Sequence, residues 1–337
     1  MSDYQRELET GLQAVRRAAV VCRAVQSSID LSAMDKEDKS PVTVADYASQ
    51  AVICRAIKHA FPDDPIVGEE GSEELRSSGD SGHLARIQQE LEPLGEPIDP
   101  ESIYAAIDMG SAKEYSPRFW TLDPIDGTKG FLRREQYAIS LALIVDGQLK
   151  VGILGCPNLE LGDSPGTLLY AIEGRGAYRI PLASVLDEAP RELFLEQDRI
   201  SVSSIEDPAA TRLCESVESG HSSHSDSSRL VEMLEIAGES RRLDSQAKYA
   251  VVASGEAELY LRLPTRPGYR EKIWDHGGGV LIAQEAGGVV TDVFGEPLDF
   301  SRGYRLENNR GVVLSSGPLH ARVLDGLKQL GVLDRAT

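Results

Sequence analysis

The sequence is poor in cysteine, with only Cys22, Cys54, Cys156 and Cys214 in 337 residues and no Cys-x-x-Cys pair among them. Cysteines so dispersed exclude a disulfide scaffold; they read as packing residues in a reducing compartment. No long apolar run occurs, so no membrane-spanning segment is expected and the chain should be soluble. The opening Met1-Ser2-Asp3-Tyr4-Gln5-Arg6-Glu7 lacks the basic-then-apolar pattern of a secretory signal, which leads to the expectation of a cytoplasmic protein. Positive charge is also in short supply: 35 Lys and Arg stand against 54 Asp and Glu, a formal net charge of −19. Such a balance argues against nucleic acid and against anionic membranes as partners. It sets a condition as well. If the ligand is a phosphate, the local field must be reversed, and divalent cations do that better than one or two lysines.

What the sequence does contain is the segment Asp123-Pro124-Ile125-Asp126-Gly127-Thr128-Lys129-Gly130-Phe131. It follows the β-prone run Phe119-Trp120-Thr121-Leu122, so Asp123 should sit where a strand ends. Pro124 fits only outside a regular ladder. Two carboxylates with a backbone carbonyl between them offer the hard oxygen ligands that Mg²⁺ takes, and Gly127 permits a sharp turn. Aspartyl-phosphate phosphatases use Asp-x-Asp-Gly-Thr, one residue shorter. Here neither acid is marked as a covalent nucleophile, and water activated by metal is the expected attacking group.

Around this segment, apolar residues at three- and four-residue steps predict a helix over 3 to 29. A second helix is predicted from Thr43, with Thr43 as cap and Asp46 in the first turn, ending before Phe61. A short strand at Ile66-Val67 should deliver Gly68-Glu69-Glu70-Gly71. Residues 72 to 104 read as polar surface helix and loops without chemistry. Tyr137 to Val145, Asp146-Gly147 and Gln148 to Leu154 predict a hairpin, and Thr167 to Ile172 a further strand. A boundary in the mixed stretch 181 to 197 divides the chain into 1–190, carrying most metal ligands, and 191–337. In the second part, strands near 199–203, 241–243, 257–263, 288–291 and 311–315 alternate with helices near 207–218, 226–237, 245–254, 274–286 and 317–330. The fold class that follows is a layered sandwich of α/β and α+β type. Ile273-Trp274-Asp275-His276-Gly277-Gly278-Gly279 places an acid at a helix start, with glycines allowing close approach to a ligand.

Read singly, Glu69, Asp46 and His221 have ordinary explanations as a loop acid, a first-turn acid and a loop histidine. Their joint occurrence carries more. Lys39-Ser40-Pro41-Val42-Thr43, Asp126 to Arg133, Gly155-Cys156-Pro157-Asn158, Gly220-His221-Ser222-Ser223-His224, Asp244-Ser245-Gln246-Ala247-Lys248-Tyr249 and Tyr260-Leu261-Arg262-Leu263-Pro264 span most of the chain. Together they resemble the inositol monophosphatase-like, lithium-sensitive phosphatases, and within them the 3′(2′),5′-bisphosphate nucleotidase branch.

The resemblance implies an α-β-α-β-α sandwich and Mg²⁺-dependent removal of the 3′-phosphate of 3′-phosphoadenosine 5′-phosphate. It implies two to three Mg²⁺ ions: Glu69, Asp123 and the Ile125 carbonyl on the first, Asp123, Asp126 and Asp275 on the second, and a weaker third near Glu69 and Asp46. Asp46 and Thr128 would orient and deprotonate the water. His221, Ser245, Lys248 and Arg262 would hold the adenosine 5′-phosphate part, with Thr128 and Asp275 also touching substrate. A small nucleotide is thus the expected partner of a monomer. The alternatives are an inositol phosphate phosphatase on the same scaffold and a catalytically silent nucleotide sensor. Two segments depart from the pattern: Gly110 to Pro117 lacks paired glycines, and Gly277-Gly278 replaces alanines, lowering helix propensity beside Asp275.

Overall fold

A computed structural model describes residues 4–29, 40–77, 81–161, 166–182, 192–217 and 222–336. The stripe Leu8, Leu12, Val15, Ala19, Cys22 and Val25 is buried along α1 (Gln5–Ser27), as its spacing predicts. Helix α2 (Ser40–Ala60) starts earlier than predicted. A proline in the first helical turn gives up an N–H that has no partner there anyway, so Pro41 does not delay the start. Thr43 is therefore inside the helix and is not its cap. Asp46 lies beyond the first turn, where the helix dipole does little for it.

Strand β1 (Ile66–Gly68) is followed by α3 (Glu73–Ser77), α4 (Ser81–Leu91) and α5 (Pro100–Asp108). This region is more helical and better packed than its polar composition suggests. Ile87, Leu91, Ile103, Ala106 and Ile107 are buried, with α4 and α5 packed against α2, so a few apolar residues at helical spacing suffice. Next come β2 (Arg118–Asp126), α6 (Thr128–Leu132), β3 (Ala138–Val145), β4 (Gln148–Cys156), β5 (Thr167–Ile172), β6 (Ala177–Pro181) and β7 (Arg199–Ile200). Among the described residues these strands form one sheet in sequence order, β1 and β2 parallel and the rest antiparallel. The predicted β3–β4 turn is present, with Asp146 at φ 50° and Gly147 at φ 74°, the left-handed pair that a two-residue hairpin needs.

The second sheet contains β8 (Leu213–Glu215), β9 (Arg241–Arg242), β10 (Leu259–Arg262), β11 (Val289–Thr291) and β12 (Val312–Ser315), in the order β11-β12-β10-β8-β9. Its helices are α7 (His224–Met233), α8 (Ala247–Ala253), α9 (Gly277–Glu285), α10 (His320–Gln329) and α11 (Val332–Ala336). Two expectations fail here. The helix predicted over 207–218 is a short turn at 208–210 followed by β8, because Leu213 and Cys214 are buried beside β10 and tertiary pairing overrides local preference. The strand near 199–203 joins the first sheet through β6.

The layers run α1 and α2, the first sheet, α8 and α9, the second sheet, then α7 and α10. This is the α-β-α-β-α order expected. Glycines explain how the middle layer fits. A Cβ on Gly278 would stand 2.7 Å from Ser140 Oγ and 2.8 Å from the Ile153 carbonyl, and one on Gly279 would meet the Tyr249 ring at 2.5 Å. The helix thus lies on β3 and β4 at a distance no side chain permits. These glycines serve close packing on the sheet, where the sequence suggested close approach to a ligand.

Candidate active site

Three loops and one helix meet at the ends of β1 and β2. In β2 the register with β3 is regular to Asp123, shifts, and resumes at Asp126 opposite Ala138. Pro124 and Ile125 fall in the interruption, as proline demands. Gly127 then turns the chain at φ 96°, against Ser245, and Thr128 opens α6. One face of α2 grips this arrangement. Ser49 Oγ donates to the Pro124 carbonyl at 3.0 Å. Gln50 Nε2 donates to the carbonyls of Glu70 (2.7 Å) and Ile107 (2.9 Å), and its Oε1 accepts from the Glu70 N–H at 3.1 Å. Asp46, three and four residues earlier, lies on the same face. Gly68 and Gly110 make room, since a Cβ on either would stand within 2.8 Å of the Gln50 amide.

The carboxylates so assembled disturb one another. Asp123 is 1 % exposed, and burial, then Glu69, Asp126, Asp275 and Asp46, push its pKa well above the usual range. Asp46 is raised well above its ordinary value by burial, Glu70 and Glu69. Glu69 is open to solvent on one side, so water relieves part of its crowding. Its pKa still rises, through partial desolvation and then through Asp275 and Glu70, and its carboxyl hydrogen-bonds that of Asp123. Asp275 is pushed up to about 6 by burial and Asp126, although Arg262 opposes the rise. Asp123 Oδ1 is buried without a hydrogen-bond partner. Hard oxygen donors, mutual repulsion and an orphaned carboxylate oxygen together fit a divalent cation.

Further contacts to these acids come from the segments around α8 and β10. The backbone N–H of Gln246 donates to Asp126 Oδ2 at 2.6 Å, its Nε2 to the Trp274 carbonyl at 2.9 Å, and its Oε1 accepts from Ser140 Oγ at 3.0 Å. One glutamine thus joins β3, the Asp126 turn and the segment before Asp275. Arg262 Nη2 lies 2.7 Å from Glu271 and 3.2 Å from Asp275, while its Nε is buried and unpartnered. Lys248 is buried, donates to the Leu243 carbonyl at 3.2 Å, and has its pKa lowered by desolvation against the pull of Asp126. Glu271, Asp275 and His276 could also bracket a cation. His276, however, is engaged with the Tyr249 hydroxyl at 2.8 Å, and Arg262 and His276 hold buried Glu271 down to about 2.

Comparison with known proteins gives the family. The profile of the inositol monophosphatase family matches residues 3–330. The chain belongs to the inositol monophosphatase family. A Candida albicans relative named 3′(2′),5′-bisphosphate nucleotidase 2 is 40 % identical, over 97 % of this chain and 98 % of its own length. The rice 3′(2′),5′-bisphosphate nucleotidase is 40 % identical over 96 % of this chain and 94 % of its own. Among solved structures, the inositol monophosphatase from Anabaena superposes with a TM-score of 0.61 at 20 % identity, covering 97 % of both chains. Enzymes of this inositol monophosphatase family are Mg²⁺-dependent, and this chain is a phosphatase by the same membership.

Within that family frame, Asp46, Glu69, Asp123, Asp126 and Asp275 lie in one electrostatically coupled cluster, with Ile125 between two of them. Thr128 is exposed at the start of α6 and makes no hydrogen bond to Asp46 among the described residues. Ser245 sits two residues before α8 with φ 68° and accepts from the Ala247 N–H at 3.1 Å. His221 lies outside the described residues; its neighbour Ser222 is buried and accepts from the Leu263 N–H at 3.0 Å. Sequence reasoning missed the clamping roles of Ser49, Gln50 and Gln246 and the partner Glu271. The signal for Gln50 was an uncharged polar residue at i+4 from Asp46, on the same helix face as that acid.

Proposed function

We propose that this chain hydrolyses the 3′-phosphate of 3′-phosphoadenosine 5′-phosphate, giving AMP, and accepts the 5′-phosphosulfate analogue. The observation that carries the reading is the buried Asp123, whose Oδ1 has no hydrogen-bond partner and whose pKa is raised by burial and by the charges of Glu69, Asp126, Asp275 and Asp46. The named function of relatives 40 % identical across the chain gives the substrate class.

Glu69, Asp123 and the Ile125 carbonyl would hold one Mg²⁺, Asp123, Asp126 and Asp275 a second, and Asp46 with Glu69 a weaker third. When bound, these ions supply positive charge to the phosphoryl oxygens and ease the ionisation of water. Thr128 Oγ1 orients the attacking water, and the Asp46 carboxylate takes its proton. Burial and two neighbouring glutamates raise the pKa of Asp46, which strengthens it as an acceptor. Lys248 and Arg262, with Ser245 and His221, hold the 5′-phosphate that is not cleaved. The unpartnered Arg262 Nε supports that role, since a buried guanidinium donor needs an oxygen. The four free, buried cysteines support a reducing cytoplasm as the site of action.

Phosphate release from adenosine 3′,5′-bisphosphate, inositol 1-phosphate and inositol 1,4-bisphosphate, with and without Mg²⁺, tests the proposal. The nucleotide should show the highest kcat/KM, and Asp126→Asn should lower kcat by several orders of magnitude with an unchanged far-UV spectrum. A higher kcat/KM on an inositol phosphate would overturn the substrate; unchanged turnover in Asp126→Asn would overturn the metal centre.

A further inference from the structure

A chain of net charge −19 gathers three cations at one edge of its acid-lined site. Trp274 and Tyr304 stack with ring centroids 6.1 Å apart at 15°. Around them, Lys113 Nζ lies 5.6 Å from the Tyr304 ring centre, Lys272 Nζ 4.5 Å from Tyr304 and 5.5 Å from Trp274, and Arg305 Cζ 4.9 Å from Tyr304. Lys272 and Arg305 face each other across an isolated antiparallel bridge. Lys113 comes from the loop after α5, the segment that departs from the family pattern. That loop is held beside β1, the strand that delivers Glu69, by the bridge between Ser111 and Val67. The cluster therefore adjoins both the Glu69 loop and Asp275, whose charge Lys272 senses.

Among the described residues, no carboxylate lies within ion-pair distance of any of the three cations. Most other described arginines are ion-paired, so the lack of a carboxylate at Arg305 is not a matter of scarce acid. Arg305 Nε is buried without a partner, and partial burial, together with Arg305 and Lys113, lowers the pKa of Lys272. Aromatic faces hold the cations in place yet leave their N–H donors unspent.

We propose that Lys113, Lys272 and Arg305 form an oxyanion site at the rim of the catalytic centre, one that receives a phosphate or sulfate group not undergoing hydrolysis. Asp275 and Glu307 act on Lys272 only from beyond ion-pair distance, and guanidinium and ammonium groups brought together in this way match a tetrahedral dianion. Two sources share that chemistry: free inorganic phosphate, the second product, and the sulfate of the 5′-phosphosulfate analogue, which lies beyond the 5′-phosphate assigned to Lys248 and Arg262. The inference rests on the phosphatase reading of the adjoining carboxylates.

The test uses the Mg²⁺-loaded full chain, comparing wild type with Lys113→Gln/Arg305→Gln and with Lys113→Gln alone, whose exposed side chain can be lost without harm to the fold. Lys328→Gln/Arg322→Gln, on exposed positions of α10, removes the same charge elsewhere. The Ki of inorganic phosphate should rise about tenfold in the double variant, the scale of one charge-assisted contact, with kcat within twofold and no change in the α10 control. A Ki that moves identifies free phosphate as the ligand. A KM that rises for the 5′-phosphosulfate but not for 3′-phosphoadenosine 5′-phosphate identifies the substrate's sulfate as the ligand. Ki and both KM values unmoved, or moved equally by the α10 control, overturn the site. Wild-type protein without any phosphatase turnover would instead overturn the reading of the carboxylate centre.

Discussion

Gln50 is expected to set the metal affinity of this enzyme without touching the metal. Its amide makes three hydrogen bonds, two of them to the backbone of Glu70 and one to Ile107. Gln50→Leu keeps the volume and removes all three. The Ile107 carbonyl keeps the Gly110 N–H at 3.0 Å, but the two backbone groups of Glu70 lose their partner; at about 1–3 kcal/mol each when left unpaired, a loss of about 2–6 kcal/mol in folding stability follows if the loop stays in place. The loop can instead shift to reach water, which lowers that cost but displaces Glu69. Either way the Mg²⁺ concentration for half-maximal turnover should rise about 10–100-fold, the usual effect of losing an outer support for a metal ligand. The assay is a Mg²⁺ titration of initial rate, alongside urea unfolding in EDTA. Gln50→Glu, which retains an acceptor for the Glu70 N–H, should recover less than half of the lost stability. A Gln50→Leu protein with lowered stability but unchanged Mg²⁺ half-saturation would refute the reasoning, because it would show that the Glu69 loop holds its own shape.

Metal-free protein should lose stability as pH rises. Asp275 and Glu69 ionise at about 6 and about 8 in the folded chain, against ordinary values of 3.8 and 4.5. Between about pH 4 and 8 the folded state therefore holds more protons than the unfolded one, and the unfolding free energy falls with pH. Thermal melts in EDTA should show a lower midpoint at pH 8.5 than at pH 5.5, and Mg²⁺ should raise the midpoint most at the higher pH; equal midpoints would contradict the crowding described above. Gly278→Ala should destabilise by about 1–3 kcal/mol through overpacking, because its Cβ would meet Ser140 Oγ and the Ile153 carbonyl. A urea midpoint equal to that of wild type, despite the higher helix propensity of alanine, would show that α9 can lift from the sheet.

The helices α1 and α2, the β3–β4 hairpin and the Asp123 to Thr128 turn were legible because each is written in local periodicity or turn chemistry. What was not legible depended on partners distant in sequence. Leu213 and Cys214 become a strand only because β10 lies beside them. Ile87 and Leu91 look like chance apolar residues in a polar stretch until α2 covers them. The candidate acids announced themselves by residue type, whereas Gln50 and Gln246 are supports whose value lies in hydrogen-bond partners 20 to 120 residues away. The start of α2 was misplaced in the other direction: Thr43 looks like a cap, but a proline is acceptable in the first helical turn, so the helix begins ahead of Pro41.

The middle layer has a mechanical consequence. Gly277 to Ala283 are buried all round, and α8 and α9 share one apolar cluster with strands of both sheets. An enzyme that closes over its substrate by swinging two lobes needs a lubricated seam between them, and here the seam is filled with interlocked core. Entry and release must then be governed by motions of side chains and loops at the rim, such as the 110–117 segment, while the lobes stay still. The same interlock makes the two halves a single melting unit, so calorimetry should record one transition with equal calorimetric and van't Hoff enthalpies.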